Sequence, residues 1–346
     1  MGVLLSEATV PLTLAHRPLG LRITLVATTV VAAVVSASVT VGLISQQRNR
    51  IRAQERDPCA DAPFAWPCAG SIEGNQPAAD PFTQFSRIML VTAHPDDESI
   101  ASGLVARLTS EGKQVVIVVC TNGDKGTANY SLPSPLLAEM RRQEMLNAVR
   151  ALGATAVQLG YEDGNLDNSY EARLRVAAQI RLFRPELIVT FNPTYNFNHY
   201  QHGSEHKDHQ TAGAIALDCF YPTARDHLQF AELWRPQEHL RTLARFAELD
   251  AWDKKAPLAG WKVREAYLMA TERLSFRPPR YETVEIDVSA ALETKARSLA
   301  MHVTQVGARR WQQLLPGIAN HSATLGRYSR PPKAHAEWYT RVVNMP

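Results

Sequence analysis

The chain predicts an α/β fold: a Rossmann-like, mostly parallel sheet with helices on both faces, preceded by a single N-terminal transmembrane helix. Three observations predict it. From Phe85 onward short β-rich apolar runs alternate with longer helical stretches, the order expected of right-handed βαβ units. Each of the first four strand runs gives way to a polar loop, most of them Gly-rich, which places chemistry at the carboxyl ends of the strands. An uncharged run, residues 23–45, precedes all of this and is long enough to cross a bilayer as a helix.

The N-terminal part divides by composition. Residues 1–22 form an N-terminal segment, 23–45 a transmembrane helix or signal anchor, and 46–84 a linker rich in Pro, Ala, Asp and Gly. Val35-Ser36-Ala37 resembles a signal cleavage site, but the apolar run continues past it and favours an uncleaved anchor. The localisation expected is therefore a membrane, through one N-terminal span. The side of the catalytic domain stays open: Arg48, Arg50, Arg52 and Arg56 favour a cytoplasmic C-terminal side, whereas Cys59 and Cys68 bracket a loop suited to a disulfide in an oxidising compartment. Cys120 and Cys219 lie in apolar contexts and read as buried thiols.

The net charge of +3 resides in residues 1–57, where six Arg face Glu7, Glu55 and Asp57. The remainder is neutral, which leaves no electrostatic footprint for nucleic acid. With 346 residues and an apolar fraction of 45%, the chain can bury a sizeable core. One main domain is expected over 85–305, with a C-terminal extension, 306–346, packed on it. Strands are expected at Ile88–Thr92, Gln114–Cys120, Ala156–Leu159 and Glu186–Phe191, and helices at Ser99–Glu111, Leu136–Leu152 and Tyr170–Phe183. Beyond Phe220, Val263–Thr271 and Thr283–Val288 read as strands and Ala290–Val303 as a helix. The aromatics of the tail, Trp311, Tyr328, Trp338 and Tyr339, could stack on sugar rings, but read preferentially as covering the domain's flank.

Four loops, AHPDDE, TNGDKGT, GYEDGNL and FNPTYNFNHYQHGSEHKDH, converge on one rim. The first carries His94, Asp96, Asp97 and Glu98, and the turn can bring His94 and Asp97 to one point. The last carries His199, His202, His206 and His209. A hydrolytic zinc site takes three ligands from His, Asp, Glu or Cys and leaves a position for water, and a further carboxylate acts on that water as base. One histidine of EHKDH can complete a His, Asp, His set. The other can remain free as a proton donor, held by a carboxylate such as Asp208. Asn122 lies in TNGDKGT, a Gly-rich loop that suits either anion binding or a tight connection. No GxGxxG follows the first strand, so a dinucleotide binder is excluded.

AHPDDE, TNGDKGT, the Arg141–Gly153 helix motif, LGYEDGNL and EHKDHQTAG, in that order, resemble the PIG-L/LmbE-like de-N-acetylases, whose members include the N-acetylglucosaminyl-phosphatidylinositol deacetylases. The resemblance spans roughly Arg87 to Phe220, with an echo near His302, which read alone is equally a packed helix histidine. It implies that His94, Asp97 and His209 bind Zn2+ or another divalent metal. It further implies that Asp96 is the general base, that His206 polarises the oxyanion or protonates the leaving amine, and that Asp208 orients His206. Arg141 and Glu144 match the family's helix motif and serve substrate contacts or structure. Two positions depart from the family pattern, Lys207 for Pro and Ser204 for Tyr; Tyr200 is the substitute considered for the latter. The implied activity is removal of an N-acetyl group from an N-acetylglucosamine-type sugar conjugate or glycolipid. The alternatives are an amidase on another N-acyl sugar conjugate and a catalytically silent, membrane-anchored glycan-binding protein.

Overall fold

The computed structural model describes residues 80–193, 206–235, 257–269, 281–328 and 334–342. They belong to one compact unit, Ile72–Pro346. Strand and helix alternate as β1 (Arg87–Thr92), α1 (Ser102–Ser110), β2 (Gln114–Thr121), α2 (Ser134–Ala151), β3 (Thr155–Tyr161), α3 (Tyr170–Phe183), β4 (Leu187–Thr190) and α4 (Lys207–Asp218). Then follow β5 (Glu265–Met269), β6 (Tyr281–Asp287), α5 (Leu292–Leu299), α6 (Trp311–Tyr328) and β7 (Ala336–Val342).

These strands form one sheet in the order β3-β2-β1-β4-β5-β7-β6. The first five are mutually parallel, with Leu90 opposite both Ile117 and Val189, and β7 runs antiparallel to both β5 and β6. Helices cover both faces: α5 packs against α1 and α2, while α3 packs against α4. The central strands are consequently buried along nearly their whole length, which is why they read as unbroken apolar runs.

Local chemistry sets the helix ends. Ser169 caps α3 by accepting from the Ala172 N–H at 3.1 Å. Gly153 takes φ 72° just past α2, the left-handed turn that a residue with a side chain adopts only at a cost. The start of α1 is capped from afar: Glu337 of β7 accepts from the N–H groups of Gly103 and Leu104, each at 2.9 Å. Lys295 and the Tyr339 hydroxyl donate to the same carboxylate, so its burial is compensated.

Successive crossovers run from β1 outward to β3 and then return to β4 on the other side of β1. The β1/β4 boundary is therefore the switch point, outside which open α/β sheets bind ligands.

Three expectations are corrected. The single-pass membrane localisation is not carried by the structure. No helix among the described residues is long and apolar enough to cross a membrane, and 18-residue α2 is interrupted by Glu139, Arg141, Arg142, Glu144 and Arg150. The run at 23–45, like Cys59 and Cys68, lies outside the described residues. The helix expected over Ala290–Val303 ends at Leu299, leaving His302 at the head of a separate turn, Val303–Val306. Trp338 and Tyr339 do not cover a flank: they lie in β7, buried within the sheet. Cys120 and Cys219 are free, buried thiols as expected, and burial pushes Cys219 up to about 12.

Candidate metal centre

The switch point is bounded by the loop after β1 and the start of α4, and the polar side chains gather there. Asp97 closes the β1 loop on itself. Its Oδ2 accepts from the N–H groups of Ala93 (2.9 Å) and His94 (2.7 Å), leaving Oδ1 3.1 Å from His209 Nε2. His94 Nδ1 lies 3.2 Å from the same His209 nitrogen, and the His209 ring stacks on Phe191 with a centroid separation of 4.2 Å. His94, Asp97 and His209 thus offer ligand atoms lying within 4.8 Å of one another.

The other face of His94 is engaged by carboxylates. Its Nε2 lies 3.2 Å from Asp163 Oδ1 and 3.4 Å from Asp208 Oδ2, the arrangement that fixes a ligating imidazole with its second nitrogen protonated. Asp208 is fully buried and also accepts from the Gly164 N–H at 2.7 Å, so loop three and α4 are joined behind the site. It is closer to His94 than to His206, whose Nδ1 lies 4.0 Å away. With His206 these groups form a second set able to hold an ion among the described residues: His94, Asp163, His206 and Asp208.

The electrostatics fit a cation. Burial opposes a charge on His94, yet Asp163, Asp208 and Asp97 together raise its pKa to about 11; the cluster demands positive charge at its centre. Asp97 is held well below the ordinary carboxylate range despite burial, by His209 and His94. Asp208 Oδ1 is buried without a hydrogen-bond partner. Neighbouring imidazole and carboxylate donors in this number suit a divalent metal of the zinc type.

Asp96 stands beside this set. It adopts φ 127°, a conformation costing roughly 1–3 kcal/mol for a residue with a side chain, which persists only under restraint. Arg141 supplies part of it: its guanidinium contacts Asp96 Oδ1 at 3.0 Å and donates to the carbonyls of Pro95 (2.6 Å) and Gly123 (2.9 Å). Burial and the Asp97 charge raise the Asp96 pKa to about 7, against the opposing pull of Arg141. His206, half-exposed at the mouth, is lowered by burial and by the charge on His94. The Asp208 N–H donates to its Nδ1 at 3.2 Å, so the neutral ring carries its proton on Nε2.

The structure brings together His94, Asp96, Asp97, His206, Asp208, His209 and Arg141. Glu144 is turned elsewhere, bonded to the Thr304 N–H (2.9 Å) and Oγ1 (2.6 Å). Asn122 donates to Gly160 O at 3.1 Å and ties β2 to the end of β3. Tyr200, His199 and His202 lie outside the described residues. Asp163 was not singled out from the sequence, though it stands in GYEDGNL, one of the four convergent loops; an acidic residue at a strand's carboxyl end was the available signal.

Residues 89–220 match the family model described as "GlcNAc-PI de-N-acetylase". The chain is 29% identical over 251 residues to the 1D-myo-inositol 2-acetamido-2-deoxy-alpha-D-glucopyranoside deacetylase of Rhodococcus erythropolis, covering 64% of this chain and 81% of that one. It is 30% identical over 251 residues to the enzyme of the same description in Thermobifida fusca, covering 64% and 83%. Among solved structures it resembles the N,N'-diacetylchitobiose deacetylase of Pyrococcus horikoshii, with TM-score 0.54, 21% identity, and coverage of 76% and 85%. It also resembles GalB, a 4-carboxy-2-hydroxymuconate hydratase of Pseudomonas putida, with TM-score 0.53, 16% identity, and coverage of 75% and 98%. These last two likenesses speak for the fold alone.

Proposed function

Because the chain belongs to the PIG-L de-N-acetylase family, we propose that it is a metal-dependent hydrolase that removes the acetyl group from an N-acetylglucosamine-type sugar conjugate, GlcNAc-inositol being the first candidate. The observation that carries this reading is the restrained Asp96 carboxylate beside the His94, Asp97 and His209 set. Zinc would be held by those three residues and would supply Lewis acidity, lowering the pKa of a water and polarising the acetyl carbonyl.

The chain's own groups do the rest. Asp96 takes a proton from the attacking water as its oxygen bonds to the acetyl carbon. His206, with its proton on Nε2, donates to the carbonyl oxygen as negative charge builds there. When the C–N bond breaks, protonated Asp96 returns its proton to the sugar nitrogen, giving acetate and a free amine. Asp208 and Asp163 hold the His94 imidazole in place behind the site.

The test uses the full chain, with metal analysis and acetate release from a panel of N-acetylated sugars. Asp96→Asn is expected to keep one metal per chain and lose roughly 100- to 10,000-fold in rate, whereas His209→Ala is expected to lose the metal. Normal turnover by Asp96→Asn would refute the base assignment.

A further inference from the structure

Asp96 is restrained beyond the Arg141 grip on its carboxylate: its carbonyl accepts from the Ser99 N–H at 3.0 Å, and its own N–H donates to Glu98 Oε2 at 3.2 Å. Glu98 is fully buried, and its second oxygen, Oε1, is bonded to His302 Nε2, brought from 204 residues downstream and likewise fully buried. His302 is itself fixed. Its N–H bonds the Leu299 carbonyl at the end of α5, and the turn it opens is tied to α2 where Thr304 meets Glu144. Glu144 lies three residues beyond Arg141 on the same helix, so α2 bears on the Asp96 carboxylate through Arg141 and on its N–H through Glu144, His302 and Glu98.

We propose that His302 is a positioning residue for the reaction: by holding Glu98 it keeps the Asp96 main chain at positive φ, the conformation that presents the base to the site. The inference rests on the deacetylase reading for the identity of the base, and on geometry alone for the restraint. It gives the family-matched segment, 89–220, a partner outside itself. With the Glu98 carboxylate free to turn, the Asp96 amide loses its acceptor and the residue relaxes toward an ordinary backbone angle, carrying its carboxylate away from the water it must deprotonate.

The experiment compares the full-length, zinc-loaded wild type with His302→Leu and His302→Gln, using GlcNAc-inositol as the probe and measuring kcat, KM, zinc content and amide exchange across residues 94–100. His302→Leu is expected to lower kcat roughly 100-fold, leave KM and zinc content unchanged, and speed exchange of the Asp96 amide. His302→Gln retains a donor toward Glu98 and is expected to recover most of that loss. A leucine variant that keeps wild-type kcat, or that loses zinc and activity together, overturns the proposal, the latter because it marks a purely structural role. If the wild type releases no acetate, the deacetylase reading fails and exchange alone decides the restraint: faster exchange in His302→Leu sustains it, unchanged exchange overturns it. Should the leucine variant not fold, His302→Asn, too short to reach Glu98, is read in the same way.

Discussion

Arg141 shows how much of a site can depend on one side chain whose own role is support. Its three acceptors belong to the loops after β1 and β2: Nη2 meets Asp96 Oδ1 and Pro95 O, and Nη1 meets Gly123 O. Room for the guanidinium exists only because Gly123 and Gly126 lack side chains; a Cβ at Gly126 would lie 2.7 Å from its Nη1. A lysine presents one ammonium and cannot span this arrangement. Losing one charge-assisted hydrogen bond is worth about 1.5–3 kcal/mol, so Arg141→Lys is expected to fold yet release acetate roughly ten- to hundred-fold more slowly. Steady-state kinetics at matched zinc content would check this. The arginine was legible in the sequence as a motif residue, but its acceptors were not, since two are main-chain carbonyls from loops 18 and 46 residues away. His302 was hidden for the same reason. Its partner precedes it by 204 residues, and nothing local distinguishes a buried ion-pair histidine from a packed one.

At the scale of elements, the strands and helices up to Asp218 follow the sequence closely because each is bounded by local signals: an apolar run, a cap, a glycine past the end. Helix α3 matches its expected span, Tyr170–Phe183. Helix α4 shows what a close approach demands. A Cβ on Gly213 would meet the Phe191 carbonyl, 3.0 Å from its carbon and 3.2 Å from Pro193 N, at the end of β4. Gly213→Ala should push α4 off β4, costing about 1–3 kcal/mol in urea denaturation. His209 lies one turn earlier on the same helix and stacks on Phe191, so the affinity of the proposed metal site should fall with stability. The element that sequence could not place is β7. No strand was expected over Ala336–Val342, whose aromatics read as flank cover; which neighbours it separates depends on a pairing across the sheet, Met269 with Tyr339, 70 residues apart in sequence.

For the molecule as a whole, the end of the sheet opposite the site is laced by Glu186. Its carboxylate accepts from the N–H groups of Ser86 (2.7 Å) and Arg87 (3.2 Å), while its main-chain oxygen accepts from Arg264, joining the starts of β1, β4 and β5. These N–H bonds, led by that from Ser86, hold its pKa below the ordinary glutamate value. The folded state therefore favours the carboxylate. Its contribution is complete above the unfolded pKa of about 4.3 and is lost as pH falls through the lower folded value. Urea midpoints measured against pH should show a steeper acid loss in the wild type than in Glu186→Gln, and the two curves should converge at the acid end. The placement of β7 between β5 and β6 bears on how the protein is made. The residue that caps α1, just beyond the loop that carries His94 and Asp97, is Glu337, in the strand that leaves the ribosome after every other described element. Until it emerges, β5 and β6 have no neighbour in common and α1 has an open end, so the nascent chain holds its candidate ligands in sequence long before it can hold them in place.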